Sequence, residues 1–315
     1  MFLICGEALF DLFGDASSGD NLSFDARIGG SPYNVAMGLA RLGEEAAFFS
    51  AAFQTMLLAK KLVQKFRAEG VSQDFVLRTD YLTTLSVVQK DEHGHPAYTF
   101  YGTEAADRMI TVDDLPIFAK PPQVLHVGSY TALVEPVATA LKGLIRRERD
   151  HTLISFDPNI RPTVEPDMGL WRSNTEALVP LTDVIKVSDE DLALIMPGEP
   201  AEDIARSWLA RGAGLVIVTR GRDGATAFTA KAEVSRPGVK VQVEDTVGAG
   251  DTFQAALLAG LKELGATGKS GLGNLDEARL NRLLEFAVKA AAITCSRRGA
   301  DLPRRSELEK KNGTP

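Results

Sequence analysis

Residues 245–253, Asp-Thr-Val-Gly-Ala-Gly-Asp-Thr-Phe, constrain the fold of this chain more than any other stretch. Upstream, Val239, Val241 and Val243 alternate with polar residues, which predicts a strand. Downstream, Phe253, Ala256, Leu257, Gly260, Leu261 and Leu264 recur at three- and four-residue spacing, which predicts a helix with a buried face. The nonapeptide between them reads as a tight strand-to-helix turn. Its small residues let the free N–H groups of a helix's first turn come close to an anion. Asp251 is the anomaly, because a carboxylate repels a fixed phosphate. It suits a site through which a phosphoryl group passes while a neighbouring hydroxyl loses its proton. The stretch is not a Walker loop, since no Gly-Lys-Ser/Thr follows, and not a dinucleotide fingerprint, since the third glycine is missing. Spacing alone leaves two readings open: an anion site, or a glycine turn in which Asp251 caps the helix.

The rest of the chain supplies a frame for that turn. Apolar strand patterns at 124–127, 153–156, 184–187 and 215–218 alternate with helical patterns at 138–146 and 201–211. Such alternation implies a mainly parallel sheet covered on both faces. Residues 82–102 read as a hairpin with an apolar, aromatic face that needs burial. The 315 residues carry a formal net charge of −7, which argues against a nucleic-acid or anionic-membrane surface. No apolar run reaches the length of a membrane span. The opening residues, 1–6, read as a first buried strand rather than a signal peptide, so a cytoplasmic location is expected. Cys5 and Cys295 lie in apolar contexts that suit a reducing compartment, and plain packing is expected of them. His93 and His95 read as a solvated turn, since nothing nearby completes a metal site.

The nonapeptide resembles the C-terminal signature of the ribokinase/PfkB family of sugar kinases, and further motifs extend the resemblance from Gly6 to about Asp301. The resemblance implies a ribokinase-like three-layer α/β/α sandwich with a mainly parallel sheet and a small β-sheet lid. The kinase domain is expected over 1–303, with the lid drawn from about 12–28 and 82–102, and a loosely ordered tail over 304–315. It also implies that Asp251 is the catalytic base and that the amides of Gly248, Ala249 and Gly250 form the anion hole. Lids of this kind pair with one another, so a homodimer through the lid is expected.

Gly29-Gly30-Ser31-Pro32-Tyr33-Asn34 predicts a helix start, with Ser31 as N-cap and Pro32 in the first turn. The pattern runs through Val35, Leu39 and Leu42 and stops at Gly43. By resemblance, Gly29 and Gly30 let a sugar lie against the backbone, and Asn34 hydrogen-bonds it. Glu7 and Asp11 follow the first strand, at the end where open α/β sheets bind ligands. Solvation and function stay open for Glu7; Asp11 matches the family's sugar-binding aspartate. Phe100 either closes on the sugar or packs, and Arg108 either reaches the sugar or pairs on the surface.

On the phosphate side, Arg161 in Asp157-Pro158-Asn159-Ile160-Arg161 is either a surface arginine or a charge that strengthens in the transition state. The resemblance of this loop implies function for Asn159 and Arg161. Lys186, Ser188 and Asp191 resemble a variant of the family's Asn-x-x-Glu element, which places Mg²⁺ and phosphate through water. The alternative is an acid-decorated helix start. Thr219 and Gly221 resemble the ATP-binding loop, and Asp245 with residues 297–299 resembles a monovalent-cation site for an ion such as K⁺. One segment departs from the family: residues 51–58 lack its usual Asp and glycines.

The expected function is ATP-dependent phosphorylation of a sugar's primary hydroxyl, with D-fructose as the first candidate. A kinase for 2-keto-3-deoxygluconate, another sugar or a nucleoside is the alternative. A non-catalytic sugar- or nucleotide-binding regulator is the alternative of another class.

Overall fold

The computed structural model describes residues 1–15, 21–53, 57–90 and 96–309. The first half runs β1 (Phe2–Cys5), β2 (Leu9–Asp15), β3 (Ser23–Gly29), α1 (Ser31–Arg41), β4 (Ala46–Phe53), α2 (Leu57–Glu69), β5 (Val76–Thr79), β6 (Leu85–Lys90) and β7 (Pro96–Tyr101). Then follow β8 (Val124–Gly128), α3 (Val137–Glu148), β9 (Leu153–Asp157), α4 (Met168–Leu178), β10 (Val184–Ser188), α5 (Asp189–Ile195), α6 (Ala201–Ala210) and β11 (Leu215–Thr219). The chain ends with β12 (Ala225–Phe228), β13 (Glu233–Arg236), α7 (Ala249–Glu263), α8 (Lys269–Leu272), α9 (Glu277–Cys295) and α10 (Arg305–Glu309).

Nine strands form one sheet in the order β13-β12-β11-β10-β9-β8-β1-β4-β5. Its strands are parallel except at the β11–β12 and β12–β13 pairs. The central strands are buried and mainly apolar because both faces are covered, with His126, Ser155 and Lys186 as the polar exceptions inside them. Phe2 and Ile4 face the layer of α1, α2, α7 and α9. Leu3 and Cys5 face the layer of α3 and α4, which α5 and α6 continue beyond β10. This is the three-layer α/β/α arrangement expected. A separate four-stranded sheet, ordered β3-β2-β6-β7, stands beside the C-terminal ends of the parallel strands. It takes in the expected hairpin but starts earlier than expected, at Leu9.

Three local expectations are corrected. Residues 239–243 form no strand. The antiparallel edge strand β13 stops before Pro237-Gly238, so the alternating valines have no ladder partner, and Val239, Val241 and Val243 are 49%, 36% and 59% exposed. The start of the tail is ordered. Arg304 pairs with Glu69 at 2.9 Å and Arg305 with Glu263 and Glu44, while Leu308 is buried, so α10 is fastened to the α1–α2 side of the molecule. Asp11, finally, lies inside β2, since the chain turns into the small sheet directly after Ala8.

Both cysteines are free thiols, and burial pushes the Cys5 thiol up. Among the described residues, no helix is long and apolar enough to cross a membrane. His93 and His95, and residues 54–56 of the departing segment, lie outside the described residues; on either side of that gap β4 continues to Phe53 and α2 starts at Leu57.

Candidate active site

Two helices meet at the C-terminal edge of the parallel strands. Helix α1 crosses α7 closely because Gly38 has no side chain: a Cβ there would lie 2.6 Å from that of Ala255. This approach brings the first turn of α1 against the first turn of α7. Ser31 Oγ donates to Asp251 Oδ1 at 2.6 Å, and Asn34 Nδ2 donates to Asp251 Oδ2 at 2.8 Å. All three side chains are buried. Both carboxylate oxygens are thereby fixed, and each keeps a lone pair for a further proton donor.

Ser31 is the residue that sequence reasoning missed. It was expected to cap α1; instead Gly30 is the cap and Ser31 is the first helical residue. Its hydroxyl, released from capping, points at Asp251. The available signal was the three-residue spacing of Ser31 and Asn34, which puts both on one helix face. A hydrogen bond to a charged group contributes about 1.5–3 kcal/mol. Ser31→Ala should therefore lower kcat by about tenfold or more with little change in melting temperature. Steady-state rates and thermal melting check this, and an unchanged kcat would mean that Asn34 alone positions the carboxylate.

On the α7 side, Gly248 caps the helix at φ 78°. The Ala249 N–H is committed to Thr246 O at 3.2 Å, and the first i−4 bond is Thr252 N–H to Gly248 O at 2.8 Å. The amides of Gly250 and Asp251 precede that bond and face out of the helix end. Lys186 Nζ lies 3.2 Å from where a Cβ on Gly250 would stand, and it pairs with Asp157 Oδ2 at 2.9 Å in a buried ion pair. Burial opposes the Lys186 charge, but Asp157, Asp191 and Asp251 outweigh it and hold its pKa above the usual value. Burial pushes Asp157 up to about 6, with Lys186 opposing and Asp191 and Asp251 adding. Asp157 Oδ1 is buried without a hydrogen-bond partner among the described residues.

The neighbouring loops are braced from behind. Ser188 caps α5 by accepting from Asp191 N–H, and Asp191 Oδ1 accepts from Ile160 N–H, both at 3.0 Å. Asn159 is held at φ 41° and Gly221 at φ 48°. Thr219 ends β11, its hydroxyl donating to Val187 O at 3.4 Å. Asp245 accepts from Val247 N–H at 3.1 Å and from Gly299 N–H at 2.8 Å, which closes residues 245–247 on the turn at Gly299.

The small sheet supplies the opposite wall. Asp11 pairs in register with Ser86, and Ser86 with Phe100, so the three form a row on one face. Burial pushes the Asp11 carboxyl up to about 6 against the pull of Ser86 and Arg161. Gly29 closes β3 opposite Leu9. Arg161 acts electrostatically on Glu7, Asp11 and Tyr98. Its guanidinium donates to Ile160 O at 3.0 Å. Phe100 packs edge-on against Tyr130, ring centres 6.0 Å apart. The Arg108 guanidinium lies 4.9 Å over the same ring, and its Nε has no partner among the described residues. No cluster of three or more His, Cys, Asp or Glu side chains stands ready for a metal among the described residues.

The arrangement therefore presents an oriented carboxylate between a cationic helix end and a polar, partly aromatic sheet face. Comparison with known proteins gives the family. The model of the pfkB family carbohydrate kinases matches residues 2–307. The fructokinase of Rhizobium leguminosarum bv. trifolii is 35% identical over 280 residues, covering 89% of this chain and 85% of its own. The fructokinase from Xylella fastidiosa, solved with bound ATP, superposes with a TM-score of 0.86 at 26% identity, over 98% of this chain and 96% of that one. The fructokinase from Vibrio cholerae O395, in its fructose, ADP and calcium ion bound form, gives 0.84 at 28% identity, over 98% and 97%. A double mutant of that enzyme was solved with fructose, ADP and potassium ion.

Proposed function

Because this chain belongs to the pfkB family of carbohydrate kinases, we propose that it transfers the γ-phosphoryl group of ATP to a primary hydroxyl of D-fructose. The observation that carries the reading is Asp251, held by Ser31 and Asn34 between the small sheet and the Lys186–Gly250 corner. A sugar lying on the row Asp11, Ser86 and Phe100, against Gly29 and Gly30, would present its hydroxyl to the free lone pairs of Asp251. That carboxylate removes the proton as the oxygen attacks the γ-phosphorus in line. The Gly250 and Asp251 amides and the Lys186 ammonium stabilise the charge that develops on the transferring group. The small sheet, acting as a lid, keeps out water, which would otherwise accept the phosphoryl group.

The nucleotide is proposed to lie along Asn159, Ser188, Thr219 and Gly221. The residues fit a divalent cation such as Mg²⁺: the unpartnered Asp157 Oδ1, with Asp191 beside it, would hold it through water. Bound with ATP, the ion supplies charge neutralisation on the phosphates. A monovalent cation is proposed at the loop that Asp245 closes on Gly299, where each carboxylate oxygen keeps a second lone pair. A homodimer is proposed through the outer face of the small sheet, where Phe24 and Tyr101 are exposed.

The name of a relative at this identity does not choose the sugar, and one feature favours a second reading. Arg108 Nε has no partner among the described residues, and Arg161 acts electrostatically on Asp11. Two such arginines suit an acidic sugar such as 2-keto-3-deoxygluconate. A coupled assay of ADP release over a sugar panel decides. Fructose should give the highest kcat/KM; a preference for the acidic sugar would install the second reading. Tight ATP binding with no turnover on any sugar would instead favour a non-catalytic regulator.

A further inference from the structure

Four stretches of chain cross between the two sheets: residues 6–8, residue 30, residues 80–84, and the segment that leaves β7 through residues 102–110. They converge on the turn after β8, around residues 129–131. Glu7, in the first crossing, accepts from Thr131 Oγ1 at 3.1 Å. Its carbonyl oxygen would lie 2.7 Å from a Cβ on Gly30, which itself sits at φ 108°, so the second crossing is seated directly on the first. Asp107, in the fourth, accepts from Thr84 Oγ1 of the third at 2.5 Å and from Tyr130 Oη at 2.7 Å. Thr84 O in turn accepts the Phe10 N–H of β2 at 3.2 Å. Ser129 is held at φ 56°, with its N–H on Asp157 O at 3.1 Å. The side chains of Glu7, Thr84, Asp107, Tyr130 and Thr131 are all buried.

None of these groups is needed for the chemistry at Asp251. Burying two carboxyls is expensive unless hydrogen bonds compensate, and here the bonds join the small sheet's connections to the turn after β8. We propose that Glu7 and Asp107 are positioning residues for the sugar, buried carboxyls that fix how the small sheet stands over Asp251 by anchoring its connections to the Ser129–Thr131 turn. The proposal rests on the sugar-kinase reading above.

The charges around the pair give it a pH signature. Glu7 feels the charges of Asp107 and Arg161, and Asp107 that of Arg108, with Tyr130 bonded to Asp107. Burial pushes Glu7 up to about 7, with Asp107 adding and Arg161 opposing, and burial raises Asp107 as well. Ionising Glu7 costs desolvation inside this buried turn and adds charge beside Asp107, so the sugar KM should rise as pH passes upward through 7.

The experiment compares Asp107→Asn, Glu7→Gln and Tyr130→Phe in the full chain. The readouts are the KM for sugar and for ATP and amide exchange in both sheets. Asp107→Asn should raise the sugar KM about tenfold, leave the ATP KM within about twofold, and speed exchange in β2, β3, β6 and β7 but not in β8–β11. Tyr130→Phe keeps the ring and deletes only the donor; it should give the same split at smaller size, and it decides if Asp107→Asn does not fold. Glu7→Gln, the neutral isostere, should hold the sugar KM at its low-pH value and abolish the rise above pH 7. Sugar and ATP KM moving together, or exchange unchanged in the small sheet, would overturn the proposal. Exchange needs no turnover, so a parent that phosphorylates no sugar would sink the sugar-kinase reading while exchange still judges this one.

Discussion

Asp251→Asn should lower kcat by about 10³-fold, within the 10²–10⁴ expected for loss of a general base, with KM for ATP and sugar nearly unchanged. The substitution preserves shape and removes the charge and one acceptor. Ser31 Oγ or Asn34 Nδ2 would keep a partner in the new amide oxygen, and the other would face an NH₂ group. The fold should survive, because α1 and α7 are held together mainly by the apolar packing along their contact. A hydroxyl can still be bound and still lie in line, but nothing takes its proton as it attacks. The expected signature is therefore a loss in kcat and kcat/KM together, the mark of an interaction made in the transition state. Nucleotide titration with the variant should give the parent's affinity. A variant retaining more than about a tenth of the parent's kcat would place the base elsewhere.

The helix that opens at residues 249–263 was legible from local patterns, whereas spacing left Asp251 open between capping and chemistry and only the family resemblance chose between them. Small residues at a strand-to-helix turn and the three-and-four spacing after it are properties of neighbours in the chain, and α7 follows them. The parallel sheet was legible for the same reason, since strands buried on both faces read as nearly continuous apolar runs. What failed was whatever depended on a partner distant in sequence. The alternation at Val239, Val241 and Val243 is a strand pattern, but a strand also needs a neighbour, and β13 ends before it could be one. Ser31 looked like a cap because its local sequence favours one; its partner Asp251 is 220 residues away. The charged residues after 303 suggested a loose tail; Glu69, buried among Arg41, Lys65 and Arg304, fastens them.

The second large effect is expected at Lys186. Lys186→Met removes the proposed phosphate-side charge and also strands Asp157 in a buried site. The two consequences separate by measurement. Removing one member of a buried ion pair costs about 3–5 kcal/mol because the remaining charge is uncompensated. The single variant should therefore melt well below the parent. Losing a preorganised positive group beside the transferring charge should also lower kcat by about 10²–10³-fold. Adding Asp157→Asn removes the stranded carboxylate, whose pKa is already raised to about 6 with Lys186 present. The double variant should recover most of the lost stability. It should not recover kcat, because nothing replaces the ammonium next to Gly250. If kcat returned with the melting temperature, Lys186 would be a structural partner of Asp157, and the developing charge would rest on the amides of Gly250 and Asp251 alone. If stability returned and kcat did not, the pair would be a device in which Asp157 holds Lys186 in place, and the Asp157 carboxylate would be free to serve a cation only through its unpartnered Oδ1.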